Sequence, residues 1–274
     1  MKQRALSTIG LWLVVALILA GFDRFGLVGL GGFLLIALLG VGAQYETYEI
    51  LRRTGAEPRR AVGLLAGAAL LCAIHFGWVR LPGAAAWVAL GWVAVLLSLL
   101  ARPLENRTWV LRLSTLFGVL YIPFLLSFLV ALAKEPAGLW AALWVVVATK
   151  FTDVGGLLFG VPFGKHKIAP NVSPAKSFEG CIGGLLLSAA VSALVAWGYQ
   201  RAGIPFLTPG QAAICALPIA LLSIPSDLVE SYLKRRAGVK DSGATIPGIG
   251  GALDLVDSLL LVSPVAYLLL KVAA

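Results

Sequence analysis

The fold is decided by a stretch in which two apolar segments flank a charged, glycine-rich connection. Residues 211–272 have the sequence QAAICALPIALLSIPSDLVESYLKRRAGVKDSGATIPGIGGALDLVDSLLLVSPVAYLLLKV. The run that ends at Pro225 and the run that follows Val256 are apolar, and the charges gather between them. Membrane-spanning helices joined by polar loops have this pattern. The stretch therefore predicts two spans with a polar connection.

The composition extends this prediction to the whole chain. Of its 274 residues, 59% are hydrophobic and 13% are charged, and the mean hydropathy is +0.93. An ordinary soluble domain is about 25% charged, so the composition excludes a soluble globular protein, a disordered chain and a disulfide scaffold. The three cysteines lie in or beside apolar runs, where a thiol usually packs as a small hydrophobe. We predict an all-α, polytopic membrane helix bundle.

Apolar segments recur along the sequence and predict about nine transmembrane helices, at roughly 20 residues per span. The segments are 9–22, 25–43, 61–76, 83–100, 110–133, 139–148, 181–199, 211–225 and 256–272. The sixth segment is expected to continue to Phe159, and the first is predicted to be a retained signal-anchor helix.

The basic residues predict the orientation in the membrane. The net charge is +9, from 22 Lys and Arg against 13 Asp and Glu. Seventeen of the 22 fall at the N-terminus or in the loops 2–3, 4–5, 6–7 and 8–9. Cytoplasmic loops carry such an excess, so we predict a cytoplasmic N-terminus and an inner-membrane protein whose active site faces the cytoplasm. No nucleic-acid motif is found, and nucleic acid is not an expected partner.

The polar residues divide the chain into two predicted parts. Residues 1–148 form a transmembrane scaffold with lipid and dimer surfaces, and residues 149–274 form a catalytic half with two cytoplasmic loops. Within the first part, residues 44–49 have the sequence QYETYE. We interpret them as an amphipathic continuation of the second span along the membrane surface, anchored by tyrosines.

Charged residues of the later loop share one predicted helix face. Spacings of three, four, seven and eight residues place them on the same side of a helix. Asp227 directly follows an apolar run, and ionisable groups near membrane depth are functional candidates. The residues on this face are Asp227, Glu230, Ser231, Lys234 and Arg235.

The end of the same loop combines glycines with two carboxylates. Gly250 and Gly251 would let the backbone approach a ligand closely, and Asp254 and Asp257 lie one helical turn apart. Oxygen ligands suit Mg²⁺ bound to phosphates, and Lys or Arg side chains neutralise phosphate oxygens. The alternative is a helix hairpin whose charges pair with one another. Against it, both aspartates would be buried without obvious local partners.

The earlier loop forms a second polar cluster. Ser173 and Pro174 predict an N-cap and a first helical residue. The helix would begin beside Lys176 and present an N-terminus that suits an anion. Lys165 adds positive charge, and the alternative is an ordinary basic cytoplasmic loop. His166 is expected to be exposed and without a catalytic role.

The two clusters together resemble the integral-membrane phosphatidate cytidylyltransferases, also called CDP-diacylglycerol synthases. The resemblance covers roughly residues 153–258. Its elements are Ser231-Tyr-Leu-Lys-Arg235, Lys240-Asp241, Pro247-Gly-Ile-Gly-Gly251 and Asp254-Leu-Val-Asp257, preceded by Gly164-Lys-His-Lys and Ser173-Pro-Ala-Lys-Ser-Phe-Glu-Gly180. The chain departs from the family pattern where Ile249 replaces a usual His and Leu255 replaces a usual Arg.

The resemblance implies a reaction and a set of site residues. The reaction is CMP transfer from CTP to phosphatidic acid, which gives CDP-diacylglycerol and pyrophosphate for phospholipid biosynthesis. It implies Mg²⁺ on Asp227, Asp254 and Asp257, a second monovalent cation such as K⁺, and a homodimer. The catalytic candidates are Asp227, Lys234, Arg235, Lys240, Asp241, Asp254 and Asp257. The substrate-binding candidates are Asp153, Lys165, Ser173, Lys176, Glu230, Ser231, Gly250 and Gly251.

Three alternatives stay open at this point. Another CTP-using lipid enzyme, such as a polyprenol kinase or an ether-lipid CDP synthase, would use similar residues. A cation-coupled transporter would also place carboxylates in the membrane, although no internal repeat is visible. The third alternative is a catalytically silent scaffold. A CDP-alcohol phosphotransferase is disfavoured because Asp257 is followed by Ser-Leu rather than by the expected Gly.

Overall fold

The computed structural model describes residues 2–79, 81, 107–243 and 250–273, and these are mostly helical. The helices are α1 (Lys2–Asp23), α2 (Val28–Arg53), α3 (Arg60–His75), α4 (Arg107–Val119), α5 (Leu125–Ala133), α6 (Gly138–Phe163), α7 (Phe178–Arg201), α8 (Pro209–Arg236), α9 (Ala252–Leu260) and α10 (Val262–Ala273). The strands are β1 (Lys167–Ala169) and β2 (Ser173–Ser177), and a π-helical segment, Leu120–Phe124, joins α4 to α5.

The described helices are those of a multi-pass membrane protein. Four of them, α2, α6, α7 and α8, are each long and apolar enough to span a bilayer, and α4 with α5 forms a fifth candidate through the π-helical segment. α9 with α10 forms a sixth candidate that is bent by 46°. α6 includes the predicted continuation to Phe159 and extends further, to Phe163. The fourth predicted segment, 83–100, lies outside the described residues, so nine spans stay a prediction.

A proline interrupts the span between α4 and α5. Pro123 lies in the π-helical segment, and its neighbours Tyr121, Ile122 and Phe124 are buried. Proline has no backbone N–H to donate, and a single π turn is a common local adjustment in a helix. The sequence predicts one uninterrupted segment here, and the structure keeps the span but changes its hydrogen bonding.

The chain divides into two compact units, of which the first contains Met1–Ala131 and Leu233–Asp257. Its interior includes the second half of α2. Tyr48 is fully buried and its hydroxyl donates to the Thr115 carbonyl at 2.8 Å. Gln44 Nε2 donates to the Gly63 carbonyl at 2.8 Å. The interpretation of residues 44–49 as a surface helix is therefore wrong, because most of these polar side chains face protein.

The second unit contains Leu132–Tyr232 and Ser258–Ala274, and α6 packs closely on α7 within it. A Cβ added at Gly155 would lie 2.8 Å from the Gly183 carbonyl oxygen, so small residues allow the two backbones to approach. Ser188 Oγ donates to the Ala148 carbonyl at 2.8 Å. This contact satisfies a polar side chain inside an apolar interface.

A short β-hairpin precedes α7 and departs from the all-α prediction. β1 and β2 pair antiparallel, with Ala169 opposite Ser173. The predicted N-cap at Ser173 is wrong, since α7 begins at Phe178 and Ser177 Oγ accepts from the Gly180 N–H at 3.2 Å. Both serines suit an N-cap by residue type, and the extended backbone of the hairpin continues through Ser177.

Candidate active site

A buried ion pair is the centre of the polar cluster in the first unit. Lys234, in the last turn of α8, donates to Asp254 Oδ1 at 2.7 Å, and the two side chains are 11% and 12% exposed. A buried charge is tolerated when it is paired and hydrogen-bonded. The expectation that Asp254 lacks a nearby partner is wrong, because the partner comes from the other end of the loop.

Asp254 also holds both described ends of the glycine-rich loop. Its Oδ2 accepts from the Gly251 N–H at 2.7 Å and from the Ser242 N–H at 3.2 Å, and it lies 2.7 Å from Ser242 Oγ. Gly250 has a φ of +124°, which side chains rarely adopt. Between these ends, Pro247 and Ile249 of the family-like element lie outside the described residues.

A carboxylate that the sequence analysis missed completes this cluster. Glu46 of α2 is 7% exposed. It accepts from the Ala252 N–H at 3.0 Å and the Leu253 N–H at 2.8 Å, and its Oε2 lies 2.8 Å from Ser242 Oγ. The first amides of a helix have no intrahelical partner, and a carboxylate stabilises that end. An acidic residue in an apolar helix was the available signal.

The other candidates of the first unit lie around this cluster. Arg235, Lys240 and Asp241 are exposed, and Arg235 Nη1 donates to the Val239 carbonyl at 3.2 Å. Asp257 is buried, one turn after Asp254 on α9. Exposed Lys and Arg side chains beside the loop can reach an anionic ligand in solution.

In the second unit, Asp227 is paired with a lysine from the hairpin. Lys176 Nζ lies 2.6 Å from Asp227 Oδ2, and the side chains are 19% and 25% exposed. Lys176 also donates to the Ile224 carbonyl at 3.1 Å. Ser231 Oγ donates to Asp227 Oδ1 at 3.4 Å, a long contact. The structure thus brings together three of the predicted residues.

Glu230 lies one turn after Asp227 on α8. One carboxylate oxygen of each lies within 4.8 Å of the other, and Glu230 is fully buried. Two carboxylates that converge on one helix face are suitable ligands for a hard divalent cation. The residues present therefore fit a metal at Asp227, and Glu230 is a second candidate ligand in addition to its predicted role in substrate binding.

Asp153 belongs to a small polar group on α6 and at the end of α9. Lys150 Nζ donates to Ser258 Oγ at 3.0 Å and lies 3.9 Å from Asp153 Oδ2. Ser258 Oγ lies 3.4 Å from the same carboxylate oxygen. Asp153 is a predicted site residue, whereas Lys150 and Ser258 are not. The signal for Lys150 was its spacing of three residues from Asp153 in an apolar helix.

The remaining candidates lie on the hairpin and do not join these carboxylates. Lys165 is exposed, and its backbone N–H donates to Glu179 Oε2 at 3.1 Å. His166 is 83% exposed and its Nδ1 lies 2.6 Å from Glu179 Oε1, consistent with the prediction of an exposed histidine. Ser173 is a strand residue opposite Ala169.

Several apolar helices long enough to span a bilayer, with ion pairs at or near helix ends that are mostly shielded from solvent, define a multi-pass membrane protein. Comparison with known families identifies it further. The model of the cytidylyltransferase family matches residues 2–273, and the chain belongs to this family. The resemblance found in the sequence is thereby confirmed.

Several curated relatives carry the name phosphatidate cytidylyltransferase. The protein of Thermotoga maritima is 37% identical over 165 residues, and that of Mycobacterium leprae is 35% identical over 160 residues. The matches cover 57% of this chain in both cases, and 57% and 49% of the relatives' lengths. The protein of Staphylococcus aureus (strain COL) is 30% identical over 245 residues, which cover 88% of this chain and 91% of the relative.

Proposed function

We propose that this protein transfers CMP from CTP to phosphatidic acid and forms CDP-diacylglycerol and pyrophosphate. The observation that carries the proposal is the match of 88% of the chain to the S. aureus protein named phosphatidate cytidylyltransferase. The two ion-pair clusters, one buried and one partly exposed, support it, because they provide ammonium groups and carboxylates of the kind that a phosphate-transfer site requires.

In the proposed reaction, a phosphate oxygen of phosphatidic acid attacks the α-phosphorus of CTP. The bond from that phosphorus to the bridging oxygen of the β-phosphate breaks, and pyrophosphate leaves. Such transfers require positioning and charge stabilisation rather than a protein nucleophile. Lys176 and Lys234 would hold phosphate oxygens, with Arg235 and Lys240 reaching from the exposed side of the loop. Ser231 would contribute a polar contact.

Mg²⁺ is the proposed cofactor, and it would neutralise the triphosphate and the departing pyrophosphate when bound. Asp227 would hold it together with Glu230, and Asp257 is a further candidate ligand. Asp254, the third ligand predicted from the sequence, would have to share oxygens that already accept from Lys234 and Gly251. The family resemblance also implies a second cation, a monovalent one such as K⁺, and we include it in the proposal.

The proposed number of spans and the proposed orientation in the membrane follow from the distribution of basic residues. Seventeen of the 22 basic residues fall on the predicted cytoplasmic side, which supports nine spans, a cytoplasmic N-terminus and an active site that faces the cytoplasm. We further propose an inner-membrane location and a homodimer. In this proposal, residues 1–148 serve as scaffold and residues 149–274 as the catalytic half.

Pyrophosphate release from CTP by the detergent-purified protein tests the reaction. The assay compares phosphatidic acid with no lipid, and Mg²⁺ with EDTA. Release that needs both lipid and Mg²⁺ is the expected result. Parallel assays with a polyprenol and with an ether-linked phosphatidic acid test the alternative acceptors. A CTP-dependent kinase would release CDP rather than pyrophosphate, and that result would contradict the proposal.

A further inference from the structure

Glu46 connects an early helix to the loop that carries the family motifs. Its carboxylate makes contacts at 2.8–3.0 Å with Ser242, Ala252 and Leu253, which are 196 to 207 residues away along the chain. The side chain is almost completely buried. Two of these three contacts are made with backbone amides, which cannot turn away as a flexible side chain can. The carboxylate therefore fixes backbone positions.

Ser242 connects Glu46 to Asp254, because its side chain contacts both carboxylates. Its hydroxyl oxygen lies 2.8 Å from Glu46 Oε2 and 2.7 Å from Asp254 Oδ2. A serine hydroxyl has one proton to donate, so the two carboxylates share it. Glu46, Ser242 and Asp254 are connected in series, and we call these three residues the carboxylate bracket. A displacement of Glu46 would change the hydrogen bonding of Asp254 and consequently that of Lys234.

The loop backbone is packed against Glu46 as closely as a glycine allows. A Cβ added at Gly243 would lie 2.5 Å from Glu46 Oε1 and 3.4 Å from the Gly251 Cα. A Cβ added at Gly251 would overlap both Glu46 oxygens. Real Cβ atoms do not make contacts this short, so the two glycines are matched to the carboxylate. The bracket thus brings the two described ends of the loop together.

We propose that Glu46 is a positioning residue for nucleotide transfer. It holds the first turn of α9 and both loop ends, and through Ser242 it sets the orientation of Asp254 and its partner Lys234, without touching the substrate. This inference rests on the proposed function. When the contacts of Glu46 are removed, we expect the turnover rate to fall more than the affinity for CTP. The reason is that small displacements of reacting groups reduce turnover strongly.

The test compares Glu46→Gln with Glu49→Gln. Glutamine retains the volume of Glu46 but has one acceptor oxygen where the carboxylate has two, so at least one backbone contact is lost. Glu49 lies one turn further along α2 and pairs with Arg52 and Arg60, which makes it the matched control. We expect Glu46→Gln to lower kcat on the order of 10–100-fold with the KM for CTP little changed, and Glu49→Gln to change neither.

Hydrogen exchange supplies a readout that does not depend on activity. In Glu46→Gln, the amides of Ala252 and Leu253 are expected to exchange at least about tenfold faster, because local opening of the α9 start becomes easier. The thermal midpoint is measured on the same preparations. Ser242→Ala is the second variant. It interrupts the bracket but keeps both backbone contacts of Glu46, and it should lower kcat in the same direction even if Glu46→Gln does not fold.

The outcomes separate this inference from the proposed function. Faster exchange with wild-type kcat would make Glu46 a structural cap and overturn the positioning role. An equal fall of kcat in Glu49→Gln would overturn it as well, and so would wild-type kcat in Ser242→Ala. If the wild-type protein releases no pyrophosphate from CTP, the proposed function fails, and the exchange data still show whether Glu46 holds the start of α9.

Discussion

The two polar clusters of this protein are held in different ways. In the first unit, Asp254 and Glu46 accept from four backbone amides, and the described contacts span 2.7–3.2 Å. In the second unit, Asp227 is held by two side chains, Lys176 at 2.6 Å and Ser231 at 3.4 Å. The second cluster is also more exposed, with its ion pair 19% and 25% accessible against 11% and 12%.

This difference determines which of the two carboxylates, Asp254 or Asp227, can exchange its hydrogen-bonding partners for a ligand. A carboxylate that accepts from backbone amides reorients only if the backbone moves, so Asp254 has a fixed direction. A carboxylate paired with a long, flexible lysine can release it when a cation or a phosphate arrives, and the lysine then pairs with the ligand. We infer that the carboxylates of the first cluster orient the site, including Lys234, and that the ion pair of the second cluster opens when a ligand binds.

Asp227→Asn is expected to have the largest effect. Asparagine retains the size of the side chain but removes the negative charge that faces Lys176, and we expect pyrophosphate release to fall by about 100-fold or more with the fold intact. Glu135→Gln is the matched control, because Glu135 forms an exposed pair with Lys271 at 3.0 Å. A wild-type rate of pyrophosphate release in Asp227→Asn would show that this residue does not take part in binding or catalysis.

Gly251→Ala tests the first cluster, that of Asp254 and Glu46, by inserting one methyl group. The new Cβ would overlap the Glu46 carboxylate, so the loop end must shift. Overpacking of this kind costs about 1–3 kcal/mol, and the misplaced site should lower kcat on the order of 10-fold or more. The thermal midpoint and kcat are measured together.

Gly198→Ala is the control for that experiment. No heavy atom lies within 4 Å of a Cβ added at this α7 position, and alanine is the better helix former. It should retain or slightly raise the thermal midpoint. If both glycine variants behave alike, the close packing around Glu46 does not constrain the loop.

Lys176→Ala tests the second cluster, that of Asp227 and Lys176, through the affinity for CTP. A hydrogen bond to a charged group contributes about 1.5–3 kcal/mol, so the KM for CTP should rise about tenfold or more, with a smaller change in kcat. Lys176→Arg keeps the charge and should recover part of the affinity. An unchanged KM in Lys176→Ala would assign the residue to the ordinary basic surface of a cytoplasmic loop.

His166→Ala is expected to have the smallest effect. The side chain is 83% exposed and contacts Glu179, and an exposed ion pair contributes little to stability because solvent screens it. Activity should stay within about twofold of the wild-type value. A loss larger than tenfold would place His166 in the site and would extend the binding cluster to the hairpin.

The sequence predicted the elements whose signals are local. Apolar runs marked the membrane helices, including the continuation of α6 to Phe159, and the motif spacing identified the family. Lys176 and Asp227 were both assigned to the site before the structure paired them.

The sequence did not predict the features that depend on distant partners. Glu46 lies in the polar stretch QYETYE and resembles a surface residue there, but it is 7% exposed and its carboxylate contacts residues about 200 positions later. Ser173 and Ser177 are equally suitable N-caps by type, and the hairpin pairing decides between them. Asp254 seemed to lack a partner because Lys234 lies 20 residues earlier, across the loop.

The long sequence separation between Glu46 and Ser242 has a consequence for biosynthesis. Synthesis at about 5–20 residues per second means that Glu46 precedes Ser242, 196 residues later, by roughly 10–40 seconds. During that interval α2 carries a carboxyl group whose contacts with Ser242, Ala252 and Leu253 cannot yet form. These contacts become available only after more than four fifths of the 274 residues have been made. The final arrangement of α2 around Glu46 is therefore completed late in synthesis, and a chain that ends before Ser242 lacks it.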